Sequence, residues 1–227
     1  MLRGVLVTDF DGTITHNDFY DIVTTTLLPS GGQSPFRDYQ AGAITHFEAL
    51  RRIFAGLRVS EADLLAALVR ADPEPRLAHW VGLLRAAGWE VVVTSAGCEW
   101  YIRRVLADAG VELEVHANLG RFEPFGGLFM ELPTASKYFS PTHGIDKAAA
   151  VREMLAKGVP VAYAGDGHSD VAASLLVPPE LRFARSDLAQ VLDHRGIDYQ
   201  SFDRWGDVAR AVLNHGERNF ARANPGE

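Results

Sequence analysis

Three apolar runs, each ending in residues that can do chemistry, constrain this chain more than any other feature. Val5-Leu6-Val7 leads into Asp9-Phe10-Asp11-Gly12-Thr13, and Val91-Val92-Val93 leads into Thr94-Ser95. Val159-Pro160-Val161-Ala162-Tyr163-Ala164 leads into Gly165-Asp166-Gly167-His168-Ser169-Asp170. Apolar runs this short read as buried strands. Helical patterns separate them, and strands alternating with helices argue for a parallel sheet covered by helices. Such sheets bind ligands outside the carboxyl ends of their strands. Acids and hydroxyls at three strand ends therefore converge on one edge.

The pattern predicts strands over 3–8, 90–94, 160–164 and 181–184. It predicts helices over 76–87, 99–109 and 148–157, ended by Gly88, Gly110 and Gly158. A short helix over 170–176 stops at Pro178-Pro179, and a last one spans 203–214 before a polar tail that frays. Two segments break the rhythm. Residues 17–72 show helical patterns at 18–28, 44–57 and 60–70, with a loop from Pro29 to Pro35 and a capping box at Ser60-Glu61-Ala62-Asp63. We read them as a helical cap inserted into a core made of 1–16 and 73–227. Residues 115–133, with Gly126-Gly127 at a turn, read as an antiparallel flap.

Two carboxylates one residue apart, before a glycine that can bend the chain, repel each other unless a cation or proton intervenes. One can attack phosphorus while the other handles a proton, the local equipment for an aspartyl-phosphate. The same string also occurs in calcium loops and plain turns. Its weight comes from the second acid pair, Asp166 and Asp170, and from Lys147 at a helix start. Thr94 and Ser95 are rival hydroxyls, and Lys137 is a rival to Lys147. His16, His143 and His168 read as surface or loop residues, Cys98 as a packed helix residue, and Trp80, Trp89, Trp100 and Trp205 as core and edge aromatics.

Acid pair, hydroxyl, lysine and acid pair, in that order, resemble the haloacid-dehalogenase-like phosphatase superfamily. The resemblance implies an α/β fold: a Rossmann-like parallel sheet core with helices on both faces, a small helical cap after strand 1 and a short antiparallel flap. It implies Asp9 as nucleophile, Asp11 as general acid and base, Ser95 as phosphate hydrogen-bond donor and Lys147 as neutralising cation. It implies a Mg2+ site made by Asp9, the Asp11 carbonyl and Asp166, with Asp170 as its supporting acid. The insertion directly after the first motif resembles the phosphoserine-phosphatase-like branch. There Asp18 and Arg52 match substrate-binding positions, with Ser95, Ala96 and Gly97 around the phosphate. Thr13-Ile14-Thr15, Asn17-Asp18, Phe183 to Leu188, Gly196 to Asp203 and Asp207-Val208 resemble the methionine-salvage 2-hydroxy-3-keto-5-methylthiopentenyl-1-phosphate phosphatases. The cysteine-rich stretch that members can carry before the lysine is absent; Pro141-Thr142-His143-Gly144 stands there.

The expected activity is magnesium-dependent hydrolysis of a small phosphorylated metabolite. Alternatives are a phosphoserine-like or phosphoamine phosphatase, a phosphotransferase, and a non-catalytic phospho-acceptor module. The last has no use for Asp11 or a lid. At 227 residues the chain can bury a full core and a small insertion. A net charge of -7 argues against a nucleic-acid partner. No apolar run reaches the roughly 18 residues that span a bilayer. One cysteine excludes a disulfide framework. With no leader visible before the first strand, we expect a cytoplasmic protein. The oligomeric state is not legible.

Overall fold

The computed structural model describes residues 2–28 and 34–223. The chain begins with β1 (Gly4–Thr8), followed by α1 (Phe19–Thr26), α2 (Ser34–Gln40), α3 (His46–Ala55) and α4 (Glu61–Arg70). Next come α5 (Leu77–Ala86), β2 (Trp89–Cys98), α6 (Glu99–Asp108) and the hairpin of β3 (Glu114–Glu123) and β4 (Gly127–Glu131). A two-stranded ribbon of β5 (Phe139–Ser140) and β6 (Gly144–Ile145) precedes α7 (Lys147–Ala156). Then follow β7 (Val161–Gly165), α8 (Val171–Ser174), β8 (Arg182–Ala184), α9 (Ser186–His194), β9 (Gln200–Ser201) and α10 (Trp205–Ala223). No helix among the described residues is long and apolar enough to cross a membrane.

The sheet has seven strands in the order β4-β3-β2-β1-β7-β8-β9, parallel except for β4. Strand order reverses at β1, so the crevice beside β1 and β7 is the switch point where such sheets bind ligands. Alternation along the strands fills both faces. Leu6, Val91, Val93, Ala162 and Ala164 pack with the apolar sides of α5, α6 and α10. Val5, Val7, Val92, Val161 and Tyr163 pack with α7 and α8. Strands buried on both faces need apolar residues in continuous runs, which is why they stood out in the sequence.

Helices α1, α3 and α4 extend the first core through Phe19, Val23, Phe47, Ile53, Phe54 and Leu64. The two ends of this segment meet. Thr15 bridges Pro73, while His16 N–H donates to Asp72 O at 2.9 Å and Asn17 N–H to Ala71 O at 3.0 Å. The segment also leans on the β3–β4 hairpin, where Arg58 Nη1 donates to Gly126 O at 2.9 Å.

Several expectations are corrected. β2 runs on to Cys98, so Cys98 ends a strand rather than sitting in a helix. The antiparallel flap stands as expected, with β3 and β4 paired across the Gly126-Gly127 turn, and it joins the main sheet because β3 first pairs parallel with β2. α2 starts at Ser34, inside the expected loop, whose residues 29–33 lie outside the described residues. α9 was not anticipated. α10 continues to Ala223, through residues expected to fray, and 224–227 lie outside the described residues.

Candidate active site

Register brings the motifs together. Thr8 pairs with Val93 on one side and Ala164 on the other, so Asp9, Thr94 and Gly165 stand side by side where β1 ends. Main-chain N–H of Asp9 donates to Ala164 O at 2.9 Å, and Thr8 Oγ1 donates to Asp9 O at 2.8 Å. Trp205, from the other end of the chain, donates its indole N–H to Thr8 Oγ1 at 3.1 Å. Gly12 turns away with a φ of +67°, and a Cβ there would stand 2.1 Å from Asp166 Oδ2. Only glycine lets this loop approach Asp166 so closely.

Asp9 is buried. Its Oδ1 accepts from Phe10 N–H at 2.7 Å and its Oδ2 lies 2.9 Å from Lys147 Nζ. Lys147 also donates to Asp170 Oδ1 at 2.6 Å. Asp170 is further held by the Tyr163 hydroxyl at 2.5 Å, Gly167 N–H at 2.9 Å and Asp166 N–H at 3.2 Å. Asp9, Asp166 and Asp170 each offer an oxygen within 4.8 Å of the others.

Charge in this cluster is unbalanced. Burial and the Asp170 charge push the Asp9 carboxyl up to about 7, against the pull of Lys147. Burial, with Asp9 and Asp170 behind it, pushes Asp166 well above the usual range. Burial also opposes ionisation of Asp170, but Lys147, the Tyr163 hydroxyl and the Gly167 N–H together outweigh it and the net shift is downward. Burial alone would weaken the Lys147 ammonium; Asp170 and Asp9 outweigh it and hold the group above the ordinary lysine range. Three carboxylates around one lysine leave room for a hard cation, and an all-oxygen donor set suits Mg2+.

Asp11 accepts from the Tyr101 hydroxyl at 2.5 Å through Oδ2, while its Oδ1 is buried without a partner. Burial, then the Asp18 charge, push Asp11 well above the usual carboxylate range. Ser95 Oγ accepts from Gly97 N–H at 2.9 Å. Asn118 Nδ2 donates to Ala96 O at 2.7 Å and His143 O at 3.0 Å, fixing the irregular end of β2 that carries Ser95.

These groups open on a cavity of about 800 Å³. Asp9, Asp11, Asp18, Ser95, Ala96, Gly97, Lys147 and Asp166 line it, with Tyr20, Phe36, Tyr39, His46, Leu50 and Phe54 from α1, α2 and α3. Asp18 caps α1 by accepting from Tyr20 N–H at 2.7 Å, and burial pushes it up to about 6. Among the described lining residues Lys147 is the one lysine or arginine. The rivals separate cleanly. Thr94 is buried and does not line the cavity, whereas Ser95 does. Lys137 pairs with Glu153 at 2.5 Å on the surface. Arg52 is not brought to the cavity either: half its side chain is exposed, and it pairs with Glu48 at 2.5 Å one helical turn away. His16 and His168, read as surface or loop residues, line the cavity. Tyr101, Asn118 and His46 were missed. The one signal for Tyr101 was its place, four residues past a strand-end glycine.

The pattern of a haloacid dehalogenase-like hydrolase matches residues 6–174. The chain belongs to that family. It is 23% identical over 211 residues to the 2-hydroxy-3-keto-5-methylthiopentenyl-1-phosphate phosphatase of Bacillus pumilus, covering 92% of this chain and 90% of that one. Among solved structures it resembles a substrate-bound phosphoserine phosphatase, with a TM-score of 0.62, 17% identity, and coverage of 95% of this chain and 98% of the other. A phospho-aspartyl intermediate analogue of phosphoserine phosphatase superposes with a TM-score of 0.55 and 16% identity over 86% and 99% of the two chains.

Proposed function

We propose that this hydrolase cleaves the phosphomonoester of a small metabolite, with Mg2+, through a phosphate carried on Asp9. The observation that carries this reading is the buried Asp9 carboxylate at a strand end, 2.9 Å from the Lys147 ammonium and beside the partnerless Oδ1 of Asp11 on the same cavity. Asp9 attacks phosphorus. Lys147 neutralises the approaching dianion. Asp11 protonates the leaving oxygen and then takes a proton from water. Ser95 donates its hydroxyl to phosphoryl oxygens, its own oxygen being held by Gly97 N–H. Ala96 and Gly97 bring main chain to the same place. Asp9, Asp166 and the Asp11 carbonyl would hold Mg2+, with Asp170 as the supporting acid behind them, and the ion would draw the nucleophile and the phosphate together when bound.

Residues 17–72 act as the lid in this reading, on a core of 1–16 and 73–227. The paired neck of residues 15–17 and 71–73 supports that division. The favoured substrate is 2-hydroxy-3-keto-5-methylthiopentenyl-1-phosphate, the compound named for the Bacillus pumilus relative. Tyr20, Phe36, Leu50 and Phe54 give its thioether chain an apolar wall. An amine-bearing phosphate is the second reading, favoured by Asp18 and Asp21 in the same lining. Phosphoserine fits less well, because the carboxylate of its leaving group would find no arginine among the described lining residues.

The test is phosphate release from a panel of these compounds with and without Mg2+. The thioether keto-phosphate should give the highest kcat/KM. Preference for phosphoserine would overturn the substrate assignment, and absence of Mg2+-dependent release from every compound would overturn the phosphatase reading.

A further inference from the structure

Tyr101 lies 90 positions from Asp11 in sequence, yet its hydroxyl donates to Asp11 Oδ2 at 2.5 Å. The ring is 1% exposed. It is held by Phe10, Phe19 and Phe54, with centroids 6.2, 4.6 and 6.3 Å away. The space around the bond is fitted to it. A Cβ on Gly97 would stand 2.0 Å from the Tyr101 hydroxyl oxygen and 2.7 Å from Asp11 Oδ2. The other oxygen of Asp11 has no hydrogen-bond partner, and the residue lines the cavity.

A phenol has one proton to donate, and a carboxylic acid carries its proton on one oxygen while the other accepts. With Oδ2 taken as acceptor, the proton of a protonated Asp11 belongs on Oδ1. We propose that Tyr101 is a positioning residue that commits Asp11 Oδ2 to the phenol and so presents Oδ1 to the reacting oxygens. This rests on the phosphatase reading above.

In the first half-reaction an Asp9 oxygen bonds to phosphorus as the bond to the leaving oxygen breaks. The leaving oxygen keeps the electron pair and takes the proton from Asp11 Oδ1. In the second, a water oxygen bonds to phosphorus and its proton passes to Oδ1. The phosphorus–Asp9 bond breaks, releasing phosphate and restoring the Asp9 carboxylate. Tyr101 surrenders no proton in either half. Its part is to orient the carboxyl and to steady the carboxylate left once the proton has gone to the leaving oxygen.

The experiment is Tyr101→Phe, which keeps the ring packing and removes the hydroxyl alone. Values of kcat/KM are measured with Mg2+ on alkyl phosphates and on 4-nitrophenyl phosphate, whose leaving group departs with little protonation. The expected loss is about 10- to 100-fold on the alkyl esters, part of what a general acid supplies, and under about threefold on the nitrophenyl ester. In an Asp11→Asn background the same substitution should cost less than about twofold, since residues acting as a unit are not additive. Equal losses on both ester classes, no loss on either, or an undiminished effect in the Asp11→Asn background would each overturn the role of Tyr101. A Tyr101→Phe protein that does not fold would make the phenol a structural group and overturn it too. These outcomes are read on a wild-type protein that is an active phosphatase, so they are distinct from failure of the phosphatase reading, in which the wild type itself releases nothing.

Discussion

Lys147 and Asp170 form a 2.6 Å ion pair in which neither side chain is open to solvent. Removing two charges from water is costly, and their attraction offsets that only when the remaining lone pairs are also satisfied. Here they are: the hydroxyl of Tyr163 and two main-chain N–H groups complete Asp170. Asp9 shares the same ammonium at 2.9 Å. The cation that a phosphate would meet is therefore fixed before substrate arrives, which spares the reaction a reorganisation step.

Replacing Lys147 with Met should expose that cost. Asp9 and Asp170 would stay buried with no cation, and breaking such a pair costs about 3–5 kcal/mol. Urea unfolding at pH 7 in the presence of a chelator measures it. A loss under about 1 kcal/mol would mean that the acids regain neutrality by taking up protons.

Asp9→Asn should stop turnover without loosening the fold. The amide keeps the volume but is a far poorer nucleophile, and loss of a catalytic group costs at least about a hundredfold. Because burial pushes the Asp9 carboxyl up to about 7, the neutral amide should leave the thermal midpoint level or raise it. Retention of about a tenth of wild-type turnover would rule out a phosphate on Asp9.

Metal should act on stability as well as on rate. The crowded oxygens of Asp9, Asp166 and Asp170 gain a counter-charge when Mg2+ binds. At a hundredfold excess over the dissociation constant this stabilises by about 2.7 kcal/mol. Scanning calorimetry should show an upward shift with Mg2+ after exhaustive chelation, and the shift should shrink sharply in Asp166→Asn. An unchanged midpoint in the wild type would refute this metal site.

What was legible in the sequence was local. Asp9, Asp11 and Asp166 sit within three residues of strand ends, so the apolar runs alone announced them. Lys147 and Lys137 could not be told apart, since one opens α7 and the other lies ten residues before it; only the fold puts one between Asp9 and Asp170 and the other beside Glu153. Arg52 was misleading because its i–4 neighbour Glu48 offered a helix-surface partner, and that pairing takes it. Tyr101 and Asn118 act on groups 90 and 22 positions away, and their residue types are ordinary at those places. α9 opens at Ser186 with φ +48° and no side-chain cap, so no start signal marked it.

His46, at the start of α3, carries the last prediction. Its ring lines the cavity, its Nδ1 is sealed without a partner, and His143 lies 5.3 Å away centroid to centroid. Burial first, then the charges of His143 and Lys147, push its pKa down to about 3. The folded protein thus keeps His46 neutral, whereas the unfolded chain takes a proton below about 6.5. Stability from this group is complete above that pH and is lost as pH falls from there toward 3. The slope is at most about 1.4 kcal/mol per pH unit. His46→Gln removes the titration and keeps a polar side chain. Between pH 7.5 and 5.0 the wild type should lose about 1–2 kcal/mol more unfolding free energy than the variant. Parallel losses in the two proteins would show that the imidazole is free to protonate in the folded state.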